Sequence, residues 1–226
     1  FSFRYGRLEV VAKMPHGDWL WPAVWLMPQD DVYGPWPRSG EIDLVESWGN
    51  SELYHNGYSI GNDHMSTTLH WGPMWDEDKH NLTGAYHYNK THNYADYFHT
   101  YTMDWDEDGL RMYVDDHLVA GFPNNSKISE NPKWVDFLTY GAPWTSDAQN
   151  LTWNRADIAT QPSLAPFDQK FYIIMNVAVG GTLFFPDEAV NQGDKKDCPK
   201  PWNNTQKGGD QKASFWSWRS DSKCSW

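Results

Sequence analysis

The densest chemistry in the chain sits in Ser39-Gly40-Glu41-Ile42-Asp43-Leu44-Val45-Glu46-Ser47. Three carboxylates alternate with aliphatic residues, the pattern of a strand with one polar and one apolar face. In a regular strand Glu41 and Asp43 share a face, while Glu46 points the other way. One β-bulge between Asp43 and Glu46 would return the third acid to the same side, because it adds a residue without adding a pleat. Ile42 and Leu44 would then pack into a core behind. Acids crowded on one face repel unless their pKa values split or a proton is shared, which suits acid–base chemistry and costs stability otherwise. An isolated Glu-x-Asp-x-x-Glu reads more simply as a solvated strand face; the flanks argue against that here.

Trp19, Trp21, Trp25, Trp36 and Trp48 surround the acids. Trp21 and Trp25 share a face if their strand reaches that far. The whole chain is rich in aromatics, with 15 Trp, 12 Tyr and 10 Phe. Sugars stack their C–H faces on such rings and offer hydroxyls to acids and amides. Two opposed carboxylates in an aromatic cleft can run glycoside hydrolysis, one attacking the anomeric carbon and the other protonating the departing oxygen. The net charge of −12 argues against nucleic acid and anionic membrane as partners, since both call for a Lys/Arg surplus.

The elements that must hold these residues are short. Arg7–Met14, Ala23–Met27, Ile42–Ser47, Met65–Trp71, Asp96–Trp105, Leu110–Val114, His117–Phe122 and Phe171–Val179 read as strands bounded by turn residues. Polar loops fill 123–168 and 186–213, and no long helical periodicity appears. The pattern predicts an all-β antiparallel two-sheet sandwich forming a single domain over 1–226.

No apolar run is long enough to span a bilayer, and the first residues lack the features of a signal peptide. Asn81, Asn89, Asn124, Asn150 and Asn203 head Asn-x-Ser/Thr triplets, more than this composition scatters by chance, which points to a secreted, extracellular glycoprotein. Cys198 and Cys224, the only cysteines, form one disulfide if the chain is secreted and two buried thiols if it is not. His55, His64, His80 and His87 show no metal-ligating spacing, so no catalytic metal or other cofactor is expected.

Phe3-Arg4-Tyr5-Gly6-Arg7-Leu8-Glu9, Trp21-Pro22-Ala23-Val24-Trp25-Leu26-Met27-Pro28, Trp36-Pro37-Arg38-Ser39-Gly40-Glu41-Ile42-Asp43-Leu44-Val45-Glu46 and Asn176-Val177-Ala178-Val179-Gly180-Gly181 resemble glycoside hydrolase family 16. Within it they are most similar to laminarinase-type β-1,3-glucanases and the related invertebrate β-1,3-glucan recognition proteins. The resemblance runs from residue 3 to about 185 and then thins. It implies a concanavalin-like jelly roll with a cleft on its concave face, and a monomer acting on β-glucan polysaccharide. Family members usually carry further strands at both ends, which supply the usual ligands of a structural calcium; these are not among the 226 residues.

The resemblance also implies roles. Glu41 would be the nucleophile of a retaining double displacement, Glu46 the general acid/base, and Asp43 a hydrogen-bond partner that sets the protonation of Glu41. Trp21, Trp25 and Trp36 would line the glucan cleft. Arg38 would bind a sugar hydroxyl or balance the acids, and His70 matches a family histidine near the acid/base. Trp216 and Trp218 read as core or rim packing. The expected activity is endo-hydrolysis of laminarin-type β-1,3-glucan, with mixed β-1,3/1,4-glucan a further substrate. A non-catalytic glucan recognition protein of innate immunity is the alternative. Recognition proteins typically lose one or more of the acids, and all three are present here. A hydrolase of sulfated galactans would want a basic cleft, which the net charge disfavours.

Overall fold

The computed structural model describes residues 1–123, 164–192, 198–206, 208–218 and 224. Most of the loop expected at 123–168, with Asn124 and Asn150, lies outside them. The main body is the expected antiparallel sandwich. Its larger sheet runs β1 (Ser2–Phe3), β12 (Phe171–Val179), β3 (Leu20–Pro28), β4 (Glu41–Ser47), β7 (His64–His70) and β8 (Ala85–Tyr88). Facing it are β11 (His117–Pro123), β10 (Gly109–Val114), β9 (His99–Asp106) and β2 (Gly6–Ala12). A small third sheet joins β14 (Cys198–Pro199), β13 (Val190–Asn191), β5 (Leu53–His55) and β6 (Tyr58–Ser59). Among the described residues the sheets do not close into a barrel.

The expected strands agree with the observed ones to within three residues, the largest differences being β9, which starts at His99 rather than Asp96, and β3, which starts at Leu20 rather than Ala23. Among the described residues two α-helices interrupt the β pattern, α1 (His80–Thr83) and α2 (Gly208–Trp218), and α2 overlaps a region expected to be loop. No helix among the described residues is long and apolar enough to cross a membrane.

The core between the two larger sheets explains why β4 carries aliphatics between its acids. Leu26, Ile42, Leu44, Val45 and Leu69 are buried together with Tyr101, Met103, Trp105, Leu110, Met112 and Phe122 of the facing sheet. Each such side chain contributes about 1.5–3 kcal/mol by leaving water, enough to fix which face of β4 turns inward. A second cluster under the small sheet gathers Trp19, Trp48, Leu53, Phe185, Ala189, Trp202 and the Cys198–Cys224 disulfide. The cysteines are therefore paired rather than free, with Cα atoms 5.6 Å apart.

Candidate active site

The strand β4 does contain the bulge that its sequence requires. Asp43 pairs with Thr68 of β7 and Glu46 with Ser66, so Thr67 alone spans the stretch that Leu44 and Val45 occupy on β4. On the other side, Trp25 pairs with Asp43, Val24 with Val45 and Ala23 with Glu46. Leu44 and Val45 are both buried in the core, two consecutive residues turned the same way, and that returns Glu46 to the face of Glu41 and Asp43. Just before the strand, Gly40 has a φ of +84°, and a Cβ there would come within 2.8 Å of the Phe167 ring. Only glycine brings Glu41 into the strand by this route.

Each outer acid receives one indole N–H. Trp36 Nε1 donates to Glu41 Oε2 at 2.6 Å, and Trp21 Nε1 donates to Glu46 Oε1 at 2.9 Å. Asp43, between them, is buried and faces His70, whose Nε2 lies 3.3 Å from Asp43 Oδ2. His70 stands directly opposite Glu41 in the β4–β7 register, whereas the residue opposite Glu46 is Ser66. The histidine expected near the acid/base thus lies on the Glu41 side. Its Nδ1 is 2.5 Å from Asp78 Oδ2.

These surroundings split the titration of the group. Burial raises the Glu41 carboxyl above the usual range, while the His70 charge and the Trp36 N–H pull it back. Burial also pushes Asp43 up to about 7, opposed by its hydrogen bond to His70 and reinforced by the charge of Glu41. Glu46 is pushed up to about 8, by burial first and by the charge of Asp43 second. For His70 burial favours the neutral ring, but hydrogen bonds to Asp43 and Asp78 overcome it and raise the imidazolium to about 11. The result is a cation beside two of the acids and a third acid that keeps its proton through neutral pH.

The aromatic residues divide between cleft and core. Trp21, Ala23 and Trp25 pair with Ala178, Asn176 and Ile174 of β12, so Trp21 and Trp25 do share the face of the acids. Trp25 Nε1 donates to Asn176 Oδ1 at 2.6 Å. The Trp21 ring stacks on Phe184 at 4.2 Å, and Phe184 stacks on Trp48 at 4.6 Å. Trp36 is 39% exposed and lies over His70, with 5.7 Å between ring centres. Trp19 is fully buried against Phe185 and Trp202 and belongs to the core, not to the cleft. The Arg38 Nε–H points to the loop after β7, donating to the Pro73 carbonyl at 2.5 Å.

A profile described as glycosyl hydrolases family 16 matches residues 1–163. The chain belongs to glycosyl hydrolase family 16. It is 43% identical over 209 residues to a β-1,3-glucan-binding protein of Penaeus monodon, covering 90% of this chain and 48% of the relative. It is 34% identical over 182 residues to glucan endo-1,3-β-glucosidase A1 of Niallia circulans, covering 80% of this chain and 21% of the relative. Among solved structures, the laminarinase from Rhodothermus marinus superposes with a TM-score of 0.55 at 29% identity, covering 81% of this chain and 57% of that one. The chain thus spans about half the length, or less, of these curated relatives.

Within this family-16 fold, several neighbours of the acids carry no signal of their own in sequence. Asp78 lies eight residues from His70, a spacing with no standard meaning, and reaches it through the turn at Trp75–Glu77. Asn176 and Phe184 arrive from β12 and the segment after it, far from β4 in the chain. Of the acceptor asparagines, Asn81 and Asn203 are exposed and Asn89 is half-buried. Trp216, on α2, is half-exposed beside Trp202 and Gly180–Thr182, at the rim of a cavity of about 440 Å³; the Trp218 side chain lies outside the described residues.

Proposed function

We propose that this domain hydrolyses β-1,3-glucan of the laminarin type internally, with retention of anomeric configuration. The observation that carries the reading is the bulge at Leu44–Val45. It sets a half-buried, protonated Glu46 and a Glu41 beside the His70 cation on one face of the sheet. Glu41 attacks the anomeric carbon as Glu46 delivers its proton to the departing glycosidic oxygen. As Glu46, now a carboxylate, takes a proton from water, the water oxygen attacks the anomeric carbon and breaks its bond to Glu41, which leaves as a carboxylate while Glu46 is protonated again. Asp43 shares a hydrogen bond with Glu41, and His70 holds positive charge against both. Trp21, Trp25 and Trp36 border this face and offer ring surfaces to the sugar. Arg38 acts by fixing the loop at Pro73, and the glucan itself is inferred from the names of the relatives.

A second reading has its own observation: the 43% identical relative is a glucan-binding protein by name. Reducing-sugar release from laminarin separates the two. Wild type releasing sugar and Glu41→Gln releasing none supports hydrolysis; laminarin binding without release supports recognition. Glu46→Gln completes the test, because a substrate with an acidic leaving group needs no proton and is spared. Equal losses on both substrates would remove Glu46 from the acid role. The disulfide and the five acceptor triplets support a secreted, extracellular setting for this single, monomeric domain.

A further inference from the structure

Hydrolysis as derived above leaves His80 without a task and uses Asp78 only as a prop for His70. Asp78 Oδ1 accepts the backbone N–H groups of Trp71 at 3.2 Å and His80 at 3.1 Å. Its other oxygen, Oδ2, faces two imidazoles, His70 Nδ1 at 2.5 Å and His80 Nδ1 at 3.1 Å. The two rings stack with centres 5.2 Å apart and planes inclined by 29°. One ligand atom from each of the three residues lies within 4.8 Å of the other two.

We propose that His70, Asp78 and His80 bind a divalent transition metal ion, with Zn²⁺ the best match. Two imidazole nitrogens and one carboxylate oxygen are a borderline donor set that suits Zn²⁺ and excludes the all-oxygen preference of Mg²⁺ and Ca²⁺. Three protein ligands leave a fourth position of a tetrahedron open, and His80, whose side chain is 54% exposed, gives the ion a way in. The surroundings are those of a built site rather than of a chance cluster. The remaining oxygen of Asp78 is fixed by two backbone donors, and the remaining nitrogen of His70 faces Asp43. A ligating histidine that donates its other N–H to a carboxylate has a fixed tautomer and a more basic ligand nitrogen. The ion takes the place of the Nδ1 proton, and Nε2–H remains for Asp43. The other trio near the acids, Glu41, Asp43 and His70, already receives the Trp36 N–H and is the poorer host.

The test is a titration of tag-free, chelator-treated protein with ZnCl₂ followed by calorimetry, repeated with CoCl₂ followed by visible absorption, with MgCl₂ as control. One ion per chain and the visible bands of four-coordinate Co²⁺ are expected for wild type. His80→Ala, an exposed change that leaves the His70–Asp43 pair in place, removes a ligand and should weaken binding by more than the roughly 10–100-fold that loss of an outer hydrogen-bond partner costs, or abolish it. His87→Ala, whose ring faces His117 at 4.9 Å elsewhere, should leave it unchanged. Absence of saturable Zn²⁺ binding to wild type, or affinity that survives His80→Ala intact, would overturn the proposal.

Discussion

Thr67 Oγ1 donates a hydrogen bond to the main-chain carbonyl of Asp43 across 2.7 Å, at the point where β4 carries its extra residue. A bulge leaves ladder groups without their regular partners, and this buried hydroxyl supplies one. Thr67 therefore links the core to the direction in which Glu46 points. Thr67→Val keeps the shape and removes the donor, so it should cost about 1–3 kcal/mol, read as a lower urea midpoint with unchanged slope. Laminarin hydrolysis should fall with it, and Thr67→Ser, which restores the hydroxyl, should recover most of both. Full stability in the valine variant would mean that the bulge holds itself.

The two indole donors give opposite ends of the pH profile separate handles. Loss of the Trp36 N–H in Trp36→Phe removes a bond that favours ionised Glu41, so the Glu41 pKa rises and the acid limb of kcat/KM moves to higher pH. Loss of the Trp21 N–H in Trp21→Phe does the same to Glu46, which then keeps its proton further above pH 8, and the alkaline limb moves up. Each displacement should be roughly 0.5–1 unit, since part of the bond is replaced by water at these half-open positions. Phenylalanine preserves the stacking face, so KM should change little. A variant in which both limbs moved together would show that the acids titrate as one unit.

The Cys198–Cys224 disulfide closes a loop of 26 residues in sequence and joins the aromatic cluster of Trp19, Phe185 and Trp202. Constraining such a loop in the unfolded chain is worth roughly 3–4 kcal/mol on the chain-entropy account. Reduction, or Cys198→Ser with Cys224→Ser, should lower the thermal midpoint by that amount of stability. The acids sit on β4 of the other core, so the pH profile at low temperature should keep its shape. A changed profile would mean that the C-terminal segment helps to shape the site.

The parts legible in sequence were those encoded locally. Alternation and turn residues disclose β4, β7, β9 to β12 and the faces they present, and the spacing of Glu41, Asp43 and Glu46 demands the bulge that Leu44 and Val45 make. Trp21 and Trp25 follow from the same two-residue period. The contacts that set the chemistry are not local. Asp78 meets His70 only because the loop after β7 folds back, and Asn176 meets Trp25 only because β12 enters the sheet beside β3. Trp19, two residues from Trp21, belongs with the cleft by proximity in sequence and with the core by structure, since its backbone takes a φ of +63° just before the strand and leaves the period. Helix α2 leaves no periodic signal in the sequence, because its apolar residues do not form a clear stripe.

Glu46 should trade stability for reactivity, and the pH dependence of that trade can be worked out. In the unfolded chain its carboxyl ionises near ~4.3, and in the folded protein burial beside Asp43 delays ionisation to about 8. Between those values the folded state binds more protons than the unfolded one, so stability from this group falls as pH rises through the window and is level above it. Glu46→Gln keeps the shape and an oxygen to accept the Trp21 N–H, and carries no charge to desolvate. The variant should therefore be more stable than wild type at pH 7–8, with a gain that grows from about pH 4.5 and saturates near 8, while laminarin turnover is lost. Thermal midpoints of both proteins across pH 4–9 give the answer. A constant difference across that range would mean that Glu46 ionises at its ordinary value, and would leave the proposed general acid without its proton at neutral pH.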